Sequence, residues 1–344
     1  MSFTQSVLAW YDEGHRSLPW RLTRDPYKIW VSEIMLQQTR AETVVSYYDR
    51  FLSRFPTVQT LAEAPQEELL KMWEGLGYYS RARSLQKAAQ MIVAEFGGQL
   101  PADVLKLRSL PGVGDYTAGA IASIAFGIPA AAVDGNVERV ICRYYAIEDT
   151  VGTPAVRRMI TEKTQALVPA DRPGAFANAM MEMGATMCTP KNPKCLLCPV
   201  RESCTGFAKG IAEQLPQKAK KKKQRVEERA VLLVMAEGHV LIVRREEKLL
   251  GGLYVFPDVL EGKEPAELCR QMDALGLCTA YDGLLGHAKH VFTHIIWEMD
   301  IHLLVAQSCA DIPGGRWVTR EELEALPLPT AVKAARQWAM ERLK

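Results

Sequence analysis

The chain has 344 residues, of which 48% are hydrophobic and 24% charged, and its formal net charge is +2. This length predicts two or three domains with ordinary hydrophobic cores. The start of the chain lacks the basic and apolar parts of a signal peptide, and no apolar run is long enough for a membrane span, so we expect a soluble cytoplasmic protein without membrane contact.

The charges are unevenly distributed along the chain. Residues 1–225 carry 29 Lys+Arg and 22 Asp+Glu, a net charge of +7, whereas residues 226–344 carry 13 and 18, a net charge of −5. A basic first part joined to an acidic second part indicates that the first part meets a polyanion.

Residues 1–208 are predicted to be mostly helical, because apolar residues recur at helical spacing and Pro or Gly separates the segments. In the apolar stretch YKIWVSEIMLQQT, Glu33 is the only charged residue between Lys28 and Arg40. This carboxylate either faces solvent or points into an apolar pocket. In a pocket, desolvation would raise its pKa and make it a proton donor near neutral pH.

The stretch LPGVG, Leu110 to Gly114, lies between two predicted helices. Its glycines allow a tight turn whose backbone N–H groups point past the start of the next helix, where one phosphate can bind. An ordinary corner between two helices explains the same residues, and the basic charge of this part of the chain favours the phosphate site.

Asp134 follows an apolar run and precedes a predicted helix in IPAAAVDGNVERVICRYYAI. The residue type and position are typical of a helix N-cap. A capping carboxylate at a helix start also tends to remain ionised, so the same residue can serve a second role. Together, a protonated Glu33 and an ionised Asp134 would be the pair needed to cleave a glycosidic bond.

Half of the eight cysteines lie within seventeen residues, in the pattern Cys188-x6-Cys195-x2-Cys198-x5-Cys204. A cytoplasmic chain is expected to use such a group for metal binding or redox chemistry rather than disulfides. Four thiolates on one loop fit either zinc or an iron–sulfur cluster, and the spacing alone does not separate the two.

Beyond residue 208 the pattern changes. Lys218–Arg225 is a charge run without an apolar face, predicted to be a solvated linker that could also touch phosphates. ERAVLLVMAEGHVLIVRR predicts two strands around the turn Glu237-Gly238-His239, IIWEMDIHLLVA predicts another, and AELCRQMDALGL and AVKAARQWAMERLK predict helices. The second domain is therefore expected to be α+β.

LPGVG, Asp134 and the cysteine pattern together resemble the helix–hairpin–helix DNA glycosylases of the endonuclease III superfamily. SEIMLQQT, GLGYYSRAR and VDGNV resemble its adenine-specific branch, the adenine DNA glycosylases. The resemblance covers nearly all of residues 5–208 and continues more weakly beyond. It implies a multi-domain chain: an all-α helix–hairpin–helix glycosylase domain at 1–208, with the hairpin at about 105–127 and an iron–sulfur loop at 188–204; a basic linker at 209–228; and an α+β Nudix-like domain at 229–344.

The resemblance also implies a cofactor and a reaction. The four cysteines would hold one 4Fe–4S cluster, and the substrate would be duplex DNA in which adenine lies opposite 8-oxoguanine or guanine, bound by a monomer. Glu33 would protonate the flipped adenine and then activate water, and Asp134 would stabilise the sugar cation. Tyr116 and Asn136 would position these groups. Bifunctional relatives carry a nucleophilic lysine where this chain has Tyr116, and a phenol cannot form a Schiff base.

The remaining implied contacts are to DNA. Leu110, Gly112 and Gly114 would form the phosphate-binding hairpin. Gln38 and Tyr78, otherwise a surface amide and a packed ring, would wedge into the duplex. The recognition sequence of this branch, Phe-Ser-His, is here Phe292-Thr293-His294, which would contact 8-oxoguanine; a plain strand end is the alternative. The Nudix metal box is incomplete, since its helix supplies only Glu267 and Asp273, so we expect no Nudix hydrolase activity.

Two other functions stay open on the sequence. The first is a bifunctional pyrimidine glycosylase/lyase, disfavoured by Tyr116 and by the second domain. The second is a non-enzymatic DNA-binding iron–sulfur protein, disfavoured by the presence of both Glu33 and Asp134.

Overall fold

The computed structural model describes residues 1–219, 223–247 and 249–343. The helices are, in chain order, α1 Phe3–Glu13, α2 Pro26–Leu36, α3 Ala41–Arg54, α4 Val58–Glu63, α5 Gln66–Met72, α6 Ser80–Phe96, α7 Val104–Ser109, α8 Asp115–Phe126, α9 Gly135–Tyr144, α10 Pro154–Gln165, α11 Pro173–Thr186, α12 Thr205–Ala208, α13 Pro265–Asp273, α14 Arg320–Ala325 and α15 Lys333–Arg342. The strands are β1 Arg225–Ala236, β2 His239–Arg244, β3 Tyr254–Val255, β4 Asp258–Val259, β5 Thr279–Val291, β6 Ile295–Ala306 and β7 Gly315–Val318. None of the helices in the described ranges is long and apolar enough to cross a membrane.

The chain divides into two compact units. Met1–Ala64 and Ser80–Lys220 form the first, here named the helical unit, and Pro65–Tyr79 with Lys221–Lys344 form the second, named the sheet unit. Part of the predicted linker, Lys220–Lys222, lies outside the described residues.

The helical unit places the N-terminal ends of α8 and α9 beside α11. A core of α1, α9 and α11 side chains, including Val7, Ile141 and Met180, is buried. Helix α11 approaches the start of α9 closely, because Gly184 has no side chain. A Cβ added there would lie 2.5 Å from the Cβ of Asn136. The packing of these helices therefore fixes where the first turn of α9 lies.

The predicted corner between two helices is formed by α7 and α8. Leu110 and Val113 are buried and connected by a backbone hydrogen bond of 3.1 Å from the Val113 N–H to the Leu110 carbonyl. Gly112 has a φ of +79°, and a Cβ on it would lie 2.8 Å from the Cβ of Ser84. This residue must be glycine both for its backbone conformation and for its close approach to α6.

The sheet unit contains a mixed sheet with the strand order β3-β2-β1-β6-β5, in which β4 also pairs with β1 and β7 with β2. Strands β1 and β6 are parallel, and the other pairs are antiparallel. Helix α13 covers one face through Leu268 and Met272, and α15 covers the other through Ala335 and Ala339. This is the α+β arrangement expected from the sequence.

The first turn of the sheet and strand β5 differ from the sequence prediction. The turn between β1 and β2 has two residues, Glu237 and Gly238, both with positive φ, so His239 already begins β2. Strand β5 was not predicted, because register shifts beside Gly283 and Gly286 interrupt the alternation of apolar and polar side chains.

The segment Pro65–Tyr79, although it comes early in the chain, belongs to the sheet unit. The Lys71 Nζ donates to the Glu324 carbonyl at 2.7 Å, and Arg336 Nη1 donates to the Glu74 carboxylate at 2.7 Å. These contacts attach α5 to the ends of α14 and α15. Nothing in the sequence prediction anticipated this attachment.

Candidate active site

Glu33 is buried in α2, with 3% of its surface exposed. The helix begins at the N-cap Asp25, followed by Pro26, and its last eight residues, ending with Leu36, are apolar apart from Ser32 and Glu33. The Tyr116 hydroxyl donates a hydrogen bond to Oε2 of Glu33. Of the two positions that the sequence left open, the structure has the carboxyl group inside the protein.

Burial raises the pKa of Glu33 to about 7. The hydrogen bond from Tyr116 and the positive charge of Arg21 oppose this rise, and the negative charge of Asp134 adds to it. A carboxyl group with a pKa near 7 can both donate and accept a proton at neutral pH.

Tyr116 lies in the first turn of α8, and its hydroxyl is also 3.3 Å from the sulfur of Met181 in α11. Burial, together with the negative charges of Glu33 and Asp134, raises the pKa of Tyr116 well above its usual range. The phenol therefore stays protonated and acts as a hydrogen-bond donor to Glu33.

Asp134 is the N-cap of α9, as its position in the sequence suggested. Its Oδ1 accepts hydrogen bonds from the backbone N–H groups of Asn136 at 2.9 Å and Val137 at 2.8 Å, and its Oδ2 accepts one from Asn136 Nδ2 at 2.7 Å. Burial raises the pKa of Asp134, while these three hydrogen bonds oppose the rise by favouring the carboxylate. Capping and holding a negative charge are thus compatible in this one residue.

Two arginines that bind Glu182 were not identified from the sequence, and one of them, Arg21, lies close enough to Glu33 to lower its pKa. Arg21 Nη2 donates to Glu182 Oε2 at 2.7 Å, and Arg16 Nε donates to Glu182 Oε1 at 2.9 Å. Burial alone would raise the pKa of Glu182, but these hydrogen bonds outweigh it and lower the pKa to about 2. The ionised Glu182 thereby fixes Arg21 near Glu33. The sequence feature that could have identified these two residues is the pair of arginines, five positions apart, in RSLPWR.

The end of α2 is held by Arg81 of α6. Its Nη1 donates to the carbonyls of Ile34 at 3.0 Å and Met35 at 2.9 Å, immediately after Glu33 in the chain. Carbonyls in the last turn of a helix have no partner within the helix, and a guanidinium supplies one. Arg81 therefore restricts the position of the turn that carries Glu33.

Helix α9 connects Asp134 to the cysteine loop. Arg139 Nη2 donates to Asn136 Oδ1 at 2.9 Å and to the Gly184 carbonyl at 2.7 Å, and its Nε donates to the Cys188 carbonyl at 2.7 Å. Asn136 in turn donates to Asp134. A single buried guanidinium thus links the residue beside the capping carboxylate with the first cysteine of the loop.

The four cysteines of residues 188–204 line one cavity, with an empty volume of about 410 Å³ that includes space open to solvent. Arg143 Nη1, one turn after Arg139, donates to the Cys188 sulfur at 3.3 Å and to the Thr189 carbonyl at 2.7 Å. Burial raises the pKa of Cys198 to about 11, and a bound iron would favour its thiolate form. Four cysteines that line one cavity, next to a guanidinium, suit an iron–sulfur cluster, which is anionic once thiolates bind it.

The residues predicted to bind DNA in the helical unit have different exposures. Gly112 and Gly114 are exposed, whereas the Leu110 side chain is 2% exposed and anchors the turn from inside. Leu110 can therefore contribute to a phosphate site only indirectly. Gln38, just after α2, is exposed and has a positive φ of 59°. Arg108 and Asp115 form an ion pair of 2.7 Å across the turn.

In the sheet unit, Phe292-Thr293-His294 is the loop between β5 and β6. The Phe292 N–H donates to the Ile295 carbonyl at 2.8 Å, which closes the turn. The hydroxyls of Tyr78 and Thr293 are 3.0 Å apart, so the structure brings together two residues that the sequence had singled out separately. Tyr78 also has a positive φ, of 48°.

Comparison with known proteins agrees with these features. Residues 31–166 match the family of helix–hairpin–helix superfamily base excision DNA repair proteins, residues 188–204 match the iron–sulfur binding domain of endonuclease III, and residues 229–337 match the NUDIX domain. The resemblance, the fold class and the iron–sulfur cofactor predicted from the sequence are thereby confirmed.

Relatives of known function cover almost the whole chain. The human adenine DNA glycosylase is 37% identical over 96% of this chain and 73% of its own length, and that of Buchnera aphidicola (subsp. Baizongia pistaciae) is 30% identical over 96% and 94%. The solved structure of a thermostable thymine-DNA glycosylase matches 60% of this chain and 95% of its own, with 32% identity and a TM-score of 0.55. The chain is thus a DNA N-glycosylase and belongs to the family of adenine DNA glycosylases.

Proposed function

We propose that this chain excises adenine opposite 8-oxoguanine or guanine in duplex DNA by hydrolysing the N-glycosidic bond, without a lyase step. The observation that carries the proposal is the buried Glu33, whose pKa is raised to about 7, near the carboxylate of Asp134 that caps α9. The same pair suits cleavage through an oxocarbenium-like transition state, in which one carboxyl group protonates the leaving group and the other offsets the positive charge on the sugar.

The steps follow from the protonation of the two groups. Adenine is flipped out of the stack, and Glu33 protonates its imidazole ring, so that the base becomes a better leaving group. Asp134 stabilises the sugar cation and can bond to it transiently. Glu33, now a carboxylate, takes a proton from the attacking water. Tyr116 and Asn136 keep the two carboxyl groups in place through the hydrogen bonds described above.

The absence of a lyase step rests on Tyr116. A Schiff base forms between a sugar aldehyde and an amine, and a phenol has no nitrogen to form it. The hydroxyl of Tyr116 donates to Glu33, which is consistent with a positioning role at the place where bifunctional relatives have their lysine.

We infer that contacts with DNA come from both units. In the helical unit, the exposed glycines of the hairpin would bind a phosphate and Gln38 would enter the duplex. In the sheet unit, Tyr78 and the loop Phe292-Thr293-His294 would contact the base opposite adenine. We expect the protein to act as a monomer, in the cytoplasm and associated with the nucleoid.

The iron–sulfur cluster would be held by Cys188, Cys195, Cys198 and Cys204. When bound, it would cross-link four points of the loop and supply a fixed charge there. Arg143 would hydrogen-bond to the Cys188 sulfur, and Arg139 would hold the backbone of the same residue.

The test is excision from three duplexes by the full-length protein: adenine opposite 8-oxoguanine, adenine opposite guanine, and an oxidised pyrimidine opposite guanine. We expect release of adenine from the first two, with strands that break only after alkali treatment. Release of the oxidised pyrimidine with strand cleavage would indicate the glycosylase/lyase instead. Binding without release of any base would indicate a non-enzymatic protein.

A further inference from the structure

A buried cluster of aromatic and charged residues lies directly beneath the loop Phe292-Thr293-His294. The ring of Phe292 packs edge-on against Trp297, with 4.9 Å between the ring centroids and an interplanar angle of 70°. The ring of His290 also packs edge-on against Phe292, with 4.5 Å between the ring centroids. The loop therefore rests on the indole of Trp297, of which only 2% is exposed.

Trp297 is held by two cations over its ring and by a hydrogen bond at its edge. The guanidinium of Arg229 lies 4.3 Å from the indole centroid and that of Arg245 lies 5.0 Å from it. The indole N–H donates to Glu227 Oε2 at 3.0 Å. A tilt of the ring would weaken one or both of these cation–π contacts or the hydrogen bond.

One carboxylate holds the two arginines together. Asp258 Oδ1 accepts from Arg245 Nη1 at 2.8 Å, and Asp258 Oδ2 accepts from Arg229 Nη1. Both arginines are 6% exposed. Burying so many charges is costly, and an apolar cluster of equal volume would stabilise a fold at least as well. A cluster of this kind is better suited to fixing one conformation than to adding stability.

We propose that Arg229, Arg245 and Trp297 are positioning residues for discrimination between 8-oxoguanine and guanine. They hold Phe292, and through it Thr293, in one orientation, so that the hydroxyl meets the base opposite adenine without a cost for ordering the loop. This inference rests on the proposed role of the loop in reading that base.

The test compares single-turnover excision of adenine opposite 8-oxoguanine with excision opposite guanine, in the full-length protein. Arg245→Met removes one cation and leaves Arg229 to pair with Asp258. We expect the ratio of the two rates to fall by about five- to tenfold, the lower end of what one base contact contributes, because the Thr293 hydroxyl is misplaced rather than removed. Arg245→Lys keeps the charge and should restore at least part of the ratio. Excision opposite guanine should stay unchanged, since the catalytic residues are not altered.

Two further variants separate positioning from general destabilisation. Leu268→Ala creates a cavity on the opposite face of the sheet, where Leu268 is fully buried. It should lower the thermal unfolding midpoint of the sheet unit and leave the ratio unchanged, because it does not touch the loop. Thr293→Ala should lower the ratio, and Arg245→Met added to it should cause little further loss, because both changes act on the same contact.

The outcomes are distinct. A wild-type ratio in Arg245→Met, together with a lowered ratio in Thr293→Ala, would overturn the positioning role and leave the proposed function of the loop intact. A wild-type ratio in Thr293→Ala would reject the reading role of the loop itself. An equal loss in Leu268→Ala would reduce the effect to stability, and the inference would again be overturned.

Discussion

Replacing Glu33 by Gln should abolish excision and change the free energy of unfolding by an amount that depends on pH. Burial of Glu33 raises its pKa from 4.5 to about 7. The folded protein therefore holds this proton more tightly than the unfolded chain does. The stability from the protonated group is fully present below about pH 4.5 and is lost as the pH rises towards 7. Above pH 7, the ionised group costs about 3 kcal/mol relative to a neutral one.

Glutamine does not titrate, so the stability of the variant does not fall in this way as the pH rises. Between pH 5.5 and pH 8, the free energy of unfolding of Glu33→Gln should rise relative to wild type by about 2 kcal/mol. Any constant effect of the amide on packing is the same at both pH values and cancels in this difference. Excision should be abolished at both, because an amide cannot deliver the proton, while binding to the mismatched duplex should remain.

The measurement is denaturant unfolding of the helical unit in the full-length protein, followed by circular dichroism at the two pH values, with Glu95→Gln as a control. Glu95 is exposed in the last turn of α6, so this variant removes a surface carboxylate without touching the site. The reasoning would be refuted if the stability difference between Glu33→Gln and wild type were the same at pH 5.5 and pH 8. Adenine release by the variant at a near wild-type rate would refute the catalytic role.

Three other expectations concern the same sites. Tyr116→Lys should yield a DNA adduct that borohydride traps, above the wild-type level, because an amine would then be available at the sugar. Arg139→Met should slow excision by about tenfold or more at saturating DNA, because it removes a charged hydrogen bond to Asn136 worth roughly 1.5–3 kcal/mol. Single-turnover rates measure this slowing, and the surface variant Arg157→Met is the control. Cys198→Ser should lose the absorbance at about 400 nm that iron–sulfur thiolates give. A spectrum unchanged from wild type would exclude Cys198 as a ligand.

Local patterns in the sequence predicted much of the fold. The cap Asp134, the corner at Leu110 to Gly114 and the turn at Glu237-Gly238 depend on residues close in the chain, and each is present. Glu33 was identified as a lone carboxyl in an apolar helix, but its contact with Tyr116, 83 positions away, depends on how α2 packs against α8. The sequence therefore identified both residues but could not show that they lie close together.

Other features depend on tertiary contacts that leave little trace in the sequence. Lys71 and Glu74 are ordinary surface charges until α14 and α15 lie beside them. Strand β5 is obscured by its two irregular glycines. Arg139 and Arg143 did carry a signal, since two arginines four residues apart in a helix that otherwise buries apolar side chains must face something polar. Most of their partners are backbone carbonyls, including those of Cys188 and Thr189 in the cysteine loop, and a pattern of side chains does not show where carbonyls point.

The membership of Pro65–Tyr79 in the sheet unit bears on how the chain is made and cut. During synthesis this segment leaves the ribosome well before residues 320–342. The contacts of Lys71 and Glu74 with that region can therefore form only when nearly the whole chain has emerged. A single proteolytic cut in the charge run Lys218–Arg225 should likewise fail to release the C-terminal fragment. The fragment would stay bound to α5 through the Lys71 and Glu74 contacts, and the two pieces should elute together in gel filtration until salt or denaturant separates them.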